Sequence, residues 1–210
     1  MQPAALGFRV HSGWTSLVAV ALEREKPVVL ARQRPHLVET FSYTFRQPYH
    51  TAEKMNLDEA SSFLQRQRTE SRRLALAAIR SAQADIAQQG YALTRAALLL
   101  ASGRPLPELS KILASHSLIH AADGEFFRDA LLHAAAKCRL AVTSIKEREL
   151  LATASSTVRR APAVLARFIS DLGKPLGSPW SQDEKLASLA AWLALCGTET
   201  GERSNSSNRL

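Results

Sequence analysis

The amino-acid sequence predicts an α/β protein, an antiparallel meander of three strands followed by two crossovers in which helix and strand alternate. Three observations carry that reading. Residues 5–10, 16–22 and 27–32 are β-branched or alternating runs, separated by the turn pair Ser12-Gly13 and by the charged Glu23-Arg24-Glu25-Lys26. Residues 57–89 then carry one long helical pattern, polar at first and apolar at Leu74, Ala78, Ala82 and Ile86. Beyond it, a continuous apolar run over 96–101 stops abruptly at Ser102-Gly103-Arg104-Pro105, as a buried strand does.

The elements follow in order. Val10 closes the first strand and Leu17 opens the second, so residues 7–16 form a hairpin tip crowded with Arg9, His11, Ser12 and Trp14. The third strand can run on towards Val38, with Pro35 confining that end to an edge or a bulge. Residues 40–55 show no period and read as a loop, which contains the polar group Arg46-Gln47-Pro48-Tyr49-His50. Asn56 caps the long helix, Asp58 and Glu59 suit the positive end of its dipole, and Gly90 ends it. A strand at 93–101 and a short helix at 107–114 come next. A polar segment at 115–123, a helix at 124–137 and a strand at 140–145 follow. The remainder is helical: 147–155 and 161–172, broken near Ser156-Thr157, and a last helix after Ser178-Pro179-Trp180. Ser181 and Glu184 have capping-box spacing, and Gly197 is the stop.

These elements divide the chain into an α/β domain over 1–155, a helical extension packed on it over 156–197, and a Ser/Asn-rich disordered tail over 198–210. A chain of 210 residues with 46% hydrophobic content can bury a substantial core. Its two cysteines, Cys138 and Cys196, make no disulfide framework and lie in apolar contexts. The first residues lack the basic and apolar regions of a signal peptide, and the apolar runs fall short of a membrane span, so a cytoplasmic protein with no membrane partner is expected. A net charge of +8 leaves room for a polyanionic partner. The basic clusters at 65–73 and 137–167 carry no interleaved aromatics for base stacking, and solvated helix faces share that composition. Trp180 and Trp192 read as packing anchors of the last helix.

The element order resembles the ribonuclease H-like fold of Holliday-junction resolvases and, with elaborations, actin-like ATPases. That resemblance implies a mixed sheet of order 3-2-1-4-5 flanked by helices, with strands four and five parallel to the first. Residues 7–14 are similar to the first hairpin of the resolvases, whose signature is Gly-x-Asp-x-Gly. Arg9 stands here where that family places its essential aspartate, and His11 is the neighbouring candidate. Two-metal phosphodiester hydrolysis needs several carboxylates converging on hard cations, so an ordinary nuclease of that kind is not expected. No Gly-x-x-x-x-Gly-Lys-Ser/Thr loop supports an ATPase.

If the strands run as that fold implies, the first, third, fourth and fifth end at one edge of the sheet, where ligands of α/β proteins tend to bind. His11, Ser12 and Trp14, then Tyr49 and His50, and then residues 146–149 with Glu149 are expected to meet there. The segment 115–128, bearing His116, His120, Asp123, Glu125 and Arg128, belongs to the same edge. His116 and His120 share a face if helical, and with His11 or His50 and Asp123 they could ligate a metal. Without a metal, His11, His50 or His120 could act as acid or base while Arg9 and Arg128 hold an anion. Gly-x-Arg-Val-x-Ser-Gly-Trp at 7–14, Arg-x-Pro-Tyr-His at 46–50 and His-Ala-x-Asp-Gly-x-x-Phe-Arg at 120–128 together resemble a family of bacterial proteins of uncharacterised activity. In that family lysine is usual at position 11 and glutamate at position 123, so a cationic role fits His11 better than an obligatory general base.

The sequence therefore supports a binding or regulatory module for an anionic ligand, a nucleotide or nucleic acid, at this edge. A hydrolase or transferase using histidine, arginine or a metal at the same edge is the alternative, and a scaffold that docks a protein partner is a third. No motif names a cofactor.

Overall fold

The computed structural model describes residues 1–101 and 105–197. Five strands, β1 (Gln2–His11), β2 (Trp14–Glu23), β3 (Lys26–Gln33), β4 (Tyr91–Leu100) and β5 (Ala141–Lys146), form one sheet of order β3-β2-β1-β4-β5. β1 pairs antiparallel with β2 and β2 with β3, whereas β4 is parallel to β1 and β5 to β4. This is the ribonuclease H-like order implied by the resemblance. It follows that β1, β3, β4 and β5 all end at the same edge.

Local chemistry accounts for the meander. Gly13 makes the first turn at φ +83°, and Arg24 and Glu25 make the second, both left-handed at φ 48° and 64° as a type I′ turn requires. Pro35 ends β3, but the chain continues its pairing irregularly: Thr15 N–H donates to the Pro35 carbonyl at 3.1 Å and Leu37 N–H to that of Gly13 at 2.8 Å. The first hairpin tip is thereby tied into the fold.

On one face of the sheet lie α1 (Tyr43–Arg46), α2 (Pro48–Ala52), α3 (Leu57–Gln88), α4 (Leu109–Leu113) and α5 (His116–Lys137); on the other lie α6 (Glu147–Val158), α7 (Pro162–Leu172) and α8 (Gln182–Cys196). Asn56 and Glu59 form a capping box at the start of α3, and Ser181 and Glu184 form one at the start of α8. α8 rests directly on β1. A Cβ added to Gly7 would lie 1.8 Å from the Ala187 carbonyl oxygen, so only glycine admits so close a helix. Trp180 donates its indole N–H to the Ile169 carbonyl at 3.0 Å, and the buried Trp192 packs against Phe168.

Three sequence expectations change. Residues 40–55 are no plain loop but hold α1 and α2, helices too short for periodicity to reveal. Residues 115–123 are not a separate polar segment, since α5 runs unbroken from His116. Its buried stripe of Ile119, Ala122, Phe126, Phe127 and Ala130 begins before Gly124, which sits mid-helix. The break after α6 falls at the left-handed Arg159 rather than near Ser156-Thr157, whose hydroxyls bond back to the Ala152 and Thr153 carbonyls within the helix. The expected end of the fourth strand at Ser102-Gly103 and the expected disordered tail at 198–210 lie outside the described residues. Among the described residues no helix is long and apolar enough to cross a membrane.

Candidate functional site

Arg9 is the centre of one cluster. Along β1, Ala4, Leu6 and Phe8 enter the core beneath α3 and α5, while Ala5 enters the core beneath α8. Strand alternation puts Arg9 and His11 on that second face, at its carboxyl edge. The Arg9 guanidinium donates from Nε to Glu147 Oε2 at 3.0 Å and from Nη2 to Glu147 Oε1 at 2.9 Å, a two-pronged grip on the first residue of α6. Its Nη1 donates to Asp183 in the first turn of α8. The Glu147 bonds, working against partial burial and joined by Asp183, push the Arg9 pKa further above its already high value. His11 Nε2 lies 3.1 Å from Asp183 Oδ1 but out of line for a hydrogen bond. The imidazole stacks on Trp14, with ring centroids 4.1 Å apart, and the Arg34 guanidinium lies 3.5 Å from the centroid of that indole.

A second cluster forms where α2 meets α5. Pro48 opens α2, and the buried carboxylate of Asp123 accepts both the Tyr49 backbone N–H at 2.7 Å and the His50 Nδ1–H at 2.5 Å. Burial pushes the Asp123 pKa up, and the His50 and Tyr49 bonds pull it back. His116 and His120, one helical turn apart on α5, complete the group with Nε2 atoms 3.1 Å from each other. Their rings stand edge-on to that of His50, at centroid distances of 5.4 and 4.5 Å. One ring nitrogen from each of the three histidines lies within 4.8 Å of the others.

The single pocket expected at the sheet edge thus divides in two. Arg9, His11 and Trp14 lie on the α8 face, whereas His50, His116, His120 and Asp123 join the layer of α2 and α5 on the other. The topology put their backbones at one edge; the alternation of side chains along β1 separates them. Arg128 joins neither cluster, because it donates to the Leu99 carbonyl at 3.1 Å, to the Gly124 carbonyl at 2.5 Å and to Glu125 at 3.2 Å. Glu149 pairs instead with Lys146 at 3.4 Å, and Ser12 offers its carbonyl to Arg46. Tyr49 is buried against Phe126, with its hydroxyl 3.5 Å from Arg68. Asp183 was not legible as a site residue, since it sits inside the Ser181–Glu184 cap and reads there as helix-start chemistry.

Sheet order, layers and crossovers define the chain as a protein of ribonuclease H-like fold. Two solved structures share it: RuvC of Thermus thermophilus in complex with Holliday junction substrate, at a TM-score of 0.53 and 12% identity over 94% of this chain and 96% of that one, and a second structure of Thermus thermophilus RuvC at 0.53 and 11% over the same shares. No family model matches the sequence, and no curated protein matches it.

Proposed function

We propose that this protein is a binding module that holds an anionic ligand of the nucleic-acid class without hydrolysing it. One observation carries the reading: the Arg9 guanidinium occupies the space between Glu147 and Asp183. A two-metal phosphodiesterase of this architecture needs carboxylates free to bind hard cations there. Arg9 instead supplies a fixed positive charge with no open coordination position, and it neutralises both carboxylates.

Several features favour nucleic acid among anions. The net charge is +8. The resolvase of similar fold has been solved with a Holliday junction. Arg148, Arg159, Arg160 and Arg167 are exposed on α6, α7 and the turn joining them; Arg148 follows Glu147 at the Arg9 edge, whereas Arg159 and Arg160 lie at the far end of α6, near Gln2 and Pro3 at the start of β1. Over residues 146–174 the basic side chains Lys146, Arg148, Arg159, Arg160, Arg167 and Lys174 outnumber the acidic Glu147, Glu149 and Asp171. A cytoplasmic location goes with such a ligand. Arg9 and Arg128, satisfied internally, serve the fold in this reading, and the exposed arginines of α6 and α7 meet the phosphates.

The test is fluorescence anisotropy with labelled duplex, branched and single-stranded DNA between about 50 and 200 mM salt, with gel analysis after incubation in Mg2+ or Mn2+. Binding should weaken steeply with salt and the strands should remain intact. Metal-dependent cleavage lost in Glu147→Gln, or no binding to any of these at the lowest salt, overturns the reading.

A further inference from the structure

The histidine cluster on the opposite face owes nothing to the Arg9 edge and has its own chemistry. Three imidazoles from two helices converge there, and the carboxylate of Asp123 touches the group through His50 alone, with one oxygen on the Tyr49 N–H and the other on His50 Nδ1. That second bond fixes the tautomer. With Nδ1 protonated and held, His50 can offer only the lone pair of Nε2. A histidine that turns one nitrogen to a metal almost always donates from the other to a carboxylate, carbonyl or water, and Asp123 fills that role for His50.

The spacing agrees. Nitrogens bound tetrahedrally at roughly 2.0–2.1 Å from an ion lie ~3.3 Å apart. His116 and His120 already place their Nε2 atoms at 3.1 Å, and the whole set lies within 4.8 Å. Side-chain rotation at the two exposed histidines can close the remainder, because neither is packed into the core.

We propose that His50, His116 and His120 form a three-histidine site for a borderline divalent cation, Zn2+ before others, with Asp123 orienting His50 and the fourth position open to water or a small anion. Imidazole ligands select Zn2+, Ni2+ and Cu2+ over Mg2+ and Ca2+, which take oxygen donors. The solvent-facing side formed by His116 and His120 is the entry path. Three protein ligands and one exchangeable position are the arrangement of zinc sites that act on a ligand rather than only brace a fold.

The experiment uses the full chain, freed of affinity histidines and stripped by chelator, and titrates Zn2+ by calorimetry and Co2+ by visible absorption. One ion per chain is expected, with intense four-coordinate Co2+ bands that shift when inorganic phosphate is added. His116→Ala and His120→Ala lie at exposed positions and keep the fold. Each should weaken binding about a hundredfold or more, and Asp123→Asn by about tenfold, in line with the usual effect of removing an outer partner. Parent binding weaker than about 1 mM, a stoichiometry far below one, or parent-like affinity in His116→Ala and His120→Ala overturns the proposal. Because the two exposed variants decide the outcome, the result stands even if His50→Ala does not fold.

Discussion

Replacing Arg9 by methionine is the most informative single change. Arg9→Met keeps the apolar stem and removes the charge with its donors, so packing on α8 survives and the electrostatics are isolated. Glu147 loses both bonds of the two-pronged pair, but its side chain is 40% exposed, and solvent recovers most of that energy, leaving about 0–1 kcal/mol. Asp183 is 19% exposed and loses a charge-assisted bond while facing another carboxylate, a cost of about 1.5–3 kcal/mol. The sum, about 3 kcal/mol, corresponds to a Tm lower by roughly 6–12 °C for a chain of this size. Differential scanning calorimetry reads it. The same scans with added Mg2+ should stabilise Arg9→Met and leave the parent unchanged, by ~1.4 kcal/mol when the ion is at ten times its Kd. A Tm within about 1 °C of the parent, or equal stabilisation of both proteins by Mg2+, would refute the idea that the guanidinium fills a cation's place.

Gly7→Ala should lower the Tm by roughly 6–12 °C, about 3 kcal/mol from overpacking, because the added methyl meets the Ala187 carbonyl; an unchanged thermal scan would disprove the close approach of α8. Arg148→Ala/Arg167→Ala should leave the Tm within about 1 °C and make the slope of log K against log salt shallower by about 0.9 for each duplex phosphate no longer neutralised, as measured by anisotropy. Burial pushes the Cys138 thiol above its usual pKa, so less thiolate forms at a given pH. Its alkylation profile, identified by comparison with Cys138→Ser, should lie on the alkaline side of a free thiol's, and reaction at pH 8 as fast as glutathione's would contradict that. Removing divalent ions with a chelator should lower the Tm of the zinc-loaded parent but not of His116→Ala, and an equal drop in both would place the ion elsewhere.

The sheet was legible because its signals are local and redundant: β-branched or alternating runs in β1 to β3, the turn residues Gly13 and Arg24-Glu25, and a short apolar run stopped abruptly by turn residues, as a buried strand is. The caps of α3 and α8 were legible too, since Asn56, Glu59, Ser181 and Glu184 carry their own chemistry. Helix α5 was misread at its start because Gly124 looks like a boundary, costing ~1 kcal/mol relative to alanine in a helix. Tertiary burial of Ile119, Ala122 and Asp123 overrides that cost. The histidines could be named from sequence and grouped with one choice left open, His11 or His50 beside His116 and His120. His116 and His120 follow from helical spacing, whereas His50 joins them only through Asp123, a contact across 73 residues of chain. Of the Arg9 partners, Glu147 lies in the 146–149 segment expected at the hairpin's edge, whereas Asp183, 174 residues away, was hidden for the same reason.

One helix explains why arginine suits position 9. α8 covers the second face by lying against Gly7, two residues before Arg9 on the same side of β1, and the close approach that Gly7 permits brings the first turn of α8 over the end of the strand. Asp183 therefore arrives within reach of residue 9 wherever α8 packs this way, and Glu147 arrives from the end of β5. Two carboxylates so delivered repel unless a cation lies between them. A divalent ion could fill that place reversibly and bring Lewis acidity; a guanidinium fills it permanently, with three of its donors held by Glu147 and Asp183 and no coordination position for a phosphate oxygen. The substitution at one strand position thus joins stability to function. It removes the need for an ion at this edge and, in the proposed reading, the means of cleaving a bound phosphodiester there. The metal site proposed above belongs to the other face, where the three imidazoles gather.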